Sequence, residues 1–229
     1  MTDKDPSASH SDQKYIEPVD AATLILLRDD EVLMGLRSRK HIFMPNVYVF
    51  PGGRTDADDH QLSCAHQLTE TQTERLGQTV DAERANAIAL TALRETFEET
   101  GLIVGHASEA DVPNISGWNE FYRRGFEPAL DKLEYFARAI TPEGAPRRFD
   151  ARFFIADAKL AQGELQGNGE LLDLQWISLR KSSELELPTV TTLVLELLKS
   201  RFYDDHPPAD DVAHAFEARH GREVFEYFV

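Results

Sequence analysis

The chain has 229 residues, enough for one substantial hydrophobic core and short of what two ordinary domains need. Hydrophobic residues make up 41% and aromatics 9%, which excludes the fibrous and wholly disordered classes. With 24 basic against 40 acidic side chains the formal net charge is −16, which opposes non-specific binding to nucleic acid or anionic membranes. An anionic ligand would therefore need a local cluster of cations or a bound metal. No apolar run approaches the roughly 18 residues of a membrane span. The opening Met1-Thr2-Asp3-Lys4-Asp5-Pro6 lacks the order of a signal peptide, and Cys64, the one cysteine, cannot form an internal disulfide. A cytoplasmic protein is expected.

Residues 1–16 carry almost nothing to bury and read as a disordered tail before a domain over 17–203. Within that domain 21–27 is a buried strand, 28–31 a turn and 32–37 its hairpin partner. A third strand, 47–50, is stopped by Pro51-Gly52-Gly53. The polar stretch 54–80 is long for a connection and reads as an insertion with local helical structure. Its His60 and His66 are expected to face solvent. A helix covers 81–100, with Leu90, Leu93 and Phe97 on its apolar side and Gly101 as its cap.

Beyond it, 104–117 is expected as a loop, and 118–124 and 128–132 as irregular or briefly helical. Strands are predicted over 133–140, 151–156 and 171–178, and a helix starts from a Thr189 or Thr191 cap and runs to Arg201. The extension 204–229 has a Pro207-Pro208 break and then a helix from Asp211. The fold class is α+β, with mixed strands rather than regular alternation.

The chemistry concentrates in Arg94-Glu95-Thr96-Phe97-Glu98-Glu99-Thr100-Gly101-Leu102. Helical spacing of three and four projects Glu95, Glu98 and Glu99 from one face. These like charges repel unless a divalent cation joins them, and Mg²⁺ takes such oxygen ligands together with water and substrate phosphates. A solvated acidic helix surface is the plain alternative. Gly52-Gly53, directly after a strand, would let the backbone approach a metal or phosphate closely.

This arrangement resembles the Nudix hydrolase signature, G-x5-E-x7-R-E-U-x-E-E-x-G-U, where U is a bulky aliphatic residue. Arg94, Glu95, Glu98, Glu99, Gly101 and Leu102 match its second half, and Thr96 stands at the first U. A threonine there can return its hydroxyl to the carbonyl four residues back. Gly53 is in place, Asp59 stands where the family has Glu, and the insertion splits the signature, leaving open which acid holds Arg94. The resemblance spans roughly residues 18–200 and implies an α/β/α sandwich around a mixed sheet.

It also implies hydrolysis of a diphosphate linking a nucleoside to another group. Glu95, Glu98, Glu99 and the Gly52 carbonyl would bind Mg²⁺ or Mn²⁺, Arg94 would orient a glutamate, and Glu99 or Glu170 would accept the final proton. A glutamate in the turn before the 171–178 strand can equally be a plain loop acid. Near the glycine pair, Leu33, Arg37, Ser38 and Phe50-Pro51-Gly52-Gly53 agree with the motif of the coenzyme A diphosphatase branch, while Met34, Gly35, Ile42 and Asn46 depart from it. The insertion, Thr141-Pro142 and Arg148 to Phe154 resemble an insertion-bearing group that includes a peroxisomal enzyme of animals acting on coenzyme A and its acyl esters. The terminal Glu226-Tyr227-Phe228-Val229 lacks the peroxisomal tripeptide.

Coenzyme A or acyl-coenzyme A is thus the preferred substrate, with Arg37, Arg39, Lys40 and Arg148 as its candidate cations. ADP-ribose, nucleotide sugars and dinucleoside polyphosphates are the alternatives. A non-catalytic nucleotide sensor is a further one, disfavoured because all three helix glutamates are kept. A G-x-S-x-G elbow, a P-loop and paired Cys/His zinc spacing are absent from the sequence. The partner expected is a small nucleoside diphosphate derivative, without nucleic acid or membrane. The oligomeric state stays open, a homodimer being the form that relatives often take.

Overall fold

A computed structural model describes residues 15–38, 45–204, 213–219 and 222–228. The predicted disordered tail lies outside the described residues except for Tyr15 and Ile16, which are exposed. In chain order the elements begin with the hairpin β1 (Val19–Arg28) and β2 (Glu31–Arg37), followed by β3 (Tyr48–Val49) and β4 (Gly52–Arg54). The insertion supplies α1 (Ala57–Gln61) and α2 (Glu70–Gly77), and the long helix α3 spans Ala82–Thr100. Next come β5 (Ile103–Ala107), α4 (Asn119–Arg123), β6 (Phe126–Pro128), a 3-10 turn at Leu130–Lys132, β7 (Glu134–Ile140) and β8 (Phe149–Asp157). The last elements are β9 (Ala161–Gln162), β10 (Leu171–Ser178), α5 (Thr189–Tyr203), β11 (Ala213–Arg219) and β12 (Arg222–Phe228).

The main sheet has the order β10-β2-β1-β8-β7-β11-β12, with β3 on β2 and β4 on β1. It is mixed: β1 runs parallel to β8 and β11 parallel to β7, and the other pairings are antiparallel. Apolar side chains point both ways along β1 because both faces are covered. Ala22, Leu24 and Leu26 meet α3, while Ile25 joins Val194, Leu195 and Leu198 of α5. The α/β/α sandwich expected from the resemblance is the observed architecture.

Along one edge β1 changes partner. It pairs with β2 only at Leu27–Val32 and Arg28–Glu31, and its other end pairs with β4 at Ala21–Arg54, Ala22–Gly53 and Thr23–Gly52. The glycine pair therefore continues the sheet instead of stopping a strand. A Cβ on Gly52 would stand 2.5 Å from the Ala22 carbonyl oxygen, so a side chain there would push β4 off β1.

Helix α3 follows from its own sequence. The Asp81 carboxylate accepts from the Arg84 N–H at 2.8 Å, and Gly101 closes the other end in the left-handed region (φ 74°), its N–H donating to the Phe97 carbonyl at 2.8 Å. Ala85, Ile88, Ala89, Ala92 and Leu93 seal it to the sheet.

Three further expectations change. Residues 103–107 form β5, paired with β6 and β9 in a second sheet, where a loop was expected. Helix α5 starts from Pro188 as its N-cap, so Thr189 and Thr191 are helical. The C-terminal extension is a β-hairpin instead of a helix, because β11 extends the main sheet alongside β7 and β12 folds back on it. A residue run rich in alanine reads as helical locally, but an open sheet edge offers it a full ladder.

Candidate active site

Helix α3 and strand β4 meet where β1 exchanges partners. Arg94 is 4% exposed, and its Nε and Nη2 donate to the two Asp59 oxygens at 2.9 Å each. Nη2 also donates to the Arg54 carbonyl at 3.2 Å, and Nη1 reaches Glu95 at 2.9 Å and Glu98 at 3.3 Å. The acid that holds Arg94 is thus Asp59, carried into place by α1 of the insertion. It is 1% exposed and also accepts from Thr91 Oγ1 at 2.9 Å, Trp118 Nε1 at 3.1 Å and the Asp56 N–H at 3.0 Å. Such a satisfied fork fixes the arginine, and through it the two glutamates that it touches.

Glu99, also buried, accepts the Gly52 N–H at 2.9 Å. Gly53 is required in a direct sense, since a Cβ would lie 2.5 Å from Glu95 Oε1. Glu98 is the most open of the three, its side chain 40% exposed against 14% for Glu95. Thr96 returns its hydroxyl to the Ala92 carbonyl at 2.7 Å, as expected for a threonine at that position.

The electrostatics are those of acids short of cations. Burial pushes the Glu95 carboxyl up to about 7 against the pull of Arg94, with Glu98 adding to the rise. Burial pushes Glu99 up to about 8 despite the Gly52 N–H, and the Glu95 and Glu170 charges act in the same direction. Glu98 is likewise raised, chiefly by burial. Burial works against the Arg94 charge, yet Asp59 and the glutamates more than compensate and raise its pKa. Three carboxylates crowd one arginine, leaving an excess of negative charge in a low-dielectric pocket. Oxygen-only donors with that excess fit a hard divalent cation such as Mg²⁺ or Mn²⁺.

Other predicted residues divide. Arg37 is half-buried at the end of β2, and its charge favours ionised Glu99. Glu170 is exposed in the turn before β10, its carbonyl accepting from the Ser38 N–H at 3.1 Å, and its charge is felt at both Glu98 and Glu99. Arg148 departs from the substrate-binding expectation. Its buried guanidinium donates to the carbonyls of Thr141 at 3.0 Å and Ile16 at 2.8 Å, which commits it to tying the start of β8 to the segment before β1. Arg39 and Lys40 lie outside the described residues. Trp118 and Thr91 were missed as supports of Asp59, and no local signal marks them. His60 is exposed as expected, and His66 is partly exposed, beside His106 and Glu127.

No family model matches the chain. It is 25% identical to an acyl-coenzyme A diphosphatase, NUDT19, of Xenopus laevis, over 65% of this chain and 52% of that one. It is 28% identical to a putative nudix hydrolase 7 of Caenorhabditis elegans, over 59% of this chain and 43% of that one. The chain thus spans about half the length of these curated relatives. A crystal structure of a NUDIX hydrolase from Alicyclobacillus acidocaldarius superposes with a TM-score of 0.59 at 28% identity, covering 80% of this chain and 91% of that one. A sandwich of this fold, an arginine clamped by a buried acid, and three glutamates beside a paired glycine coincide with these likenesses: the chain has the Nudix fold and is similar in sequence to Nudix hydrolases.

Proposed function

We propose that the chain hydrolyses the diphosphate bond of a nucleoside diphosphate derivative, with coenzyme A or acyl-coenzyme A as its preferred substrate. The observation that carries this reading is that Glu95 and Glu99 meet β4 at Gly53 and Gly52 while Arg94 holds Glu95 and Glu98 on the same helix face. Those carboxylates and the Gly52 carbonyl would hold Mg²⁺ or Mn²⁺, which when bound neutralises a diphosphate and polarises the attacking water. The protein's own groups do the positioning. Asp59 holds Arg94, Arg94 holds Glu95 and Glu98, and the Gly52 N–H holds Glu99, so the donors are preset before substrate arrives. Arg37 contributes positive charge to an anionic ligand in an otherwise acidic protein.

Glu170 is assigned the proton-accepting role. It is exposed to solvent and within the field of Glu98 and Glu99, whereas Glu99 is buried and held by the backbone. Glu170→Gln should lower kcat with a smaller loss of ion affinity than Glu99→Gln, which removes a ligand and should weaken ion binding outright. The likeness to the Xenopus acyl-coenzyme A diphosphatase supports the choice of substrate class, as does the partial motif at Leu33, Arg37 and Ser38.

The test is a panel of coenzyme A, acyl-coenzyme A, ADP-ribose, nucleotide sugars and dinucleoside polyphosphates, incubated with protein and Mg²⁺ or Mn²⁺ and resolved by chromatography. Coenzyme A should give 4′-phosphopantetheine and 3′,5′-ADP. Cleavage confined to ADP-ribose or nucleotide sugars would reject the coenzyme A assignment and leave the diphosphatase reading standing. Binding without turnover across the panel would favour a sensor.

A further inference from the structure

We propose that His66, His106 and Asp131 form a second metal site, for Zn²⁺ or a similar imidazole-seeking divalent ion, separate from the α3 carboxylates. The three residues come from distant parts of the chain: the insertion between α1 and α2, strand β5, and the 3-10 turn at Leu130–Lys132. One donor atom from each lies within 4.8 Å of the others. Tetrahedral Zn²⁺ with bonds of about 2.0 Å sets its ligands about 3.3 Å apart, so small side-chain rotations would close the site.

The local chemistry can take an ion as well as ion pairs: Asp131 Oδ2 holds Lys132 Nζ at 2.9 Å, and Oδ1 is the oxygen that faces the imidazoles. The two imidazole rings stand 3.9 Å apart between centroids, tilted by 36°. Two imidazolium cations at that spacing repel, whereas two neutral rings can share one cation through their lone pairs. Asp131 Oδ1 is already 2.7 Å from His106 Nε2, so a carboxylate is beside the pair. Glu127, on β6, lies 3.2 Å from His66 Nε2 and would receive that ring N–H, leaving Nδ1 to the ion. Metal-binding histidines are commonly oriented by a carboxylate in this way. The side chains are 28–37% exposed, so an ion can enter and a water can complete the shell.

Two imidazoles and a carboxylate select differently from three carboxylates. The first set suits Zn²⁺, the second Mg²⁺ or Mn²⁺, so the two centres can be filled independently. An ion here would cross-link the insertion to β5 and to the turn before β7. The same insertion carries Asp59, which clamps Arg94.

The decisive experiment strips the full chain with chelator and titrates it with Zn²⁺ at saturating Mg²⁺, following heat and bound metal. One Zn²⁺ should bind, and Glu98→Gln should keep it. His106→Ala and the gentler His66→Gln should weaken it by about a hundredfold or more. Co²⁺ should give the visible absorption of a low-symmetry nitrogen–oxygen site in the unaltered chain, which needs no variant to fold. Zn²⁺ should raise the melting temperature of the unaltered chain and not that of folded His106→Ala. The proposal is overturned if the unaltered chain binds no Zn²⁺ beyond the Mg²⁺-occupied centre, or if folded histidine variants bind it unchanged.

Discussion

Both ends of α3 bury charge, and they treat it in opposite ways. Near its first turn Arg84 and the fully buried Arg152 pair with Asp20, and Arg152 and Arg138 pair with Asp150. Burial pushes Asp20 up, but the hydrogen bonds and charges of Arg84 and Arg152 outweigh it and leave its carboxyl below the ordinary value. Near the last turn the count is reversed: burial again pushes the acids up, Arg94 is divided among Asp59, Glu95 and Glu98, and the glutamates end high. Burial alone therefore does not mark a functional acid. The mark is burial without enough cations, and of these two ends it is the one facing the glycine pair that carries it.

The sharpest way to break this contrast is to remove one charge from each end. Glu98→Gln, nearly isosteric and on a half-open side chain, should lower turnover by more than about a hundredfold while leaving the melting temperature unchanged. Wild-type turnover in that variant at saturating Mg²⁺ would sink the ion-binding reading. Arg152→Met should do the reverse. It leaves Asp20 and Asp150 buried with one cation fewer, and denaturant unfolding should report a loss of about 3 kcal/mol, the low end for a broken buried pair because Arg84 and Arg138 remain. Activity per folded molecule should stay the same. A smaller effect is expected from Gly53→Ala. Its methyl would meet the Glu95 carboxylate and no backbone atom among its nearest neighbours, pushing that ligand aside, so the affinity for the activating ion should fall by about tenfold with little change in stability.

Much of this architecture was readable from local pattern. The Gly101 cap of α3, the β1–β2 hairpin, β7, β8 and β10 follow from periodicity and end signals a few residues away, and so does the carboxylate face. What escaped is whatever depends on a distant partner. Strand β5 is short and is defined by β6 and β9, which lie far along the chain. Strands β11 and β12 depend on an edge that β7 offers. The grip of Asp59 on Arg94 needs the insertion to loop back, so the residue six places after Gly53 was visible while its role was not. Arg148 misled for a related reason: in sequence it is a spare cation, and in space two backbone carbonyls use it.

The two ends should also pull stability in opposite directions with pH. Without metal, Glu95 and Glu99 have folded pKa values near 7 and 8, above the ordinary carboxylate value of 4.5. The folded chain thus holds those protons more tightly than the unfolded chain does. Their contribution is fully present below the ordinary value and is lost as pH rises through about 7 to 8. Asp20, held low, has the other sign: its contribution is present above its ordinary value of 3.8 and is lost as pH falls below it. Urea unfolding of the chelated chain should therefore show stability falling between about pH 5 and pH 8, and saturating Mg²⁺ should flatten that fall by binding the deprotonated folded cluster. Glu99→Gln, which removes the group raised furthest, should flatten part of it without any metal. If the chelated chain instead gains stability across that window, the acids at the end of α3 carry no unmet negative charge, and the difference between the two ends of the helix disappears.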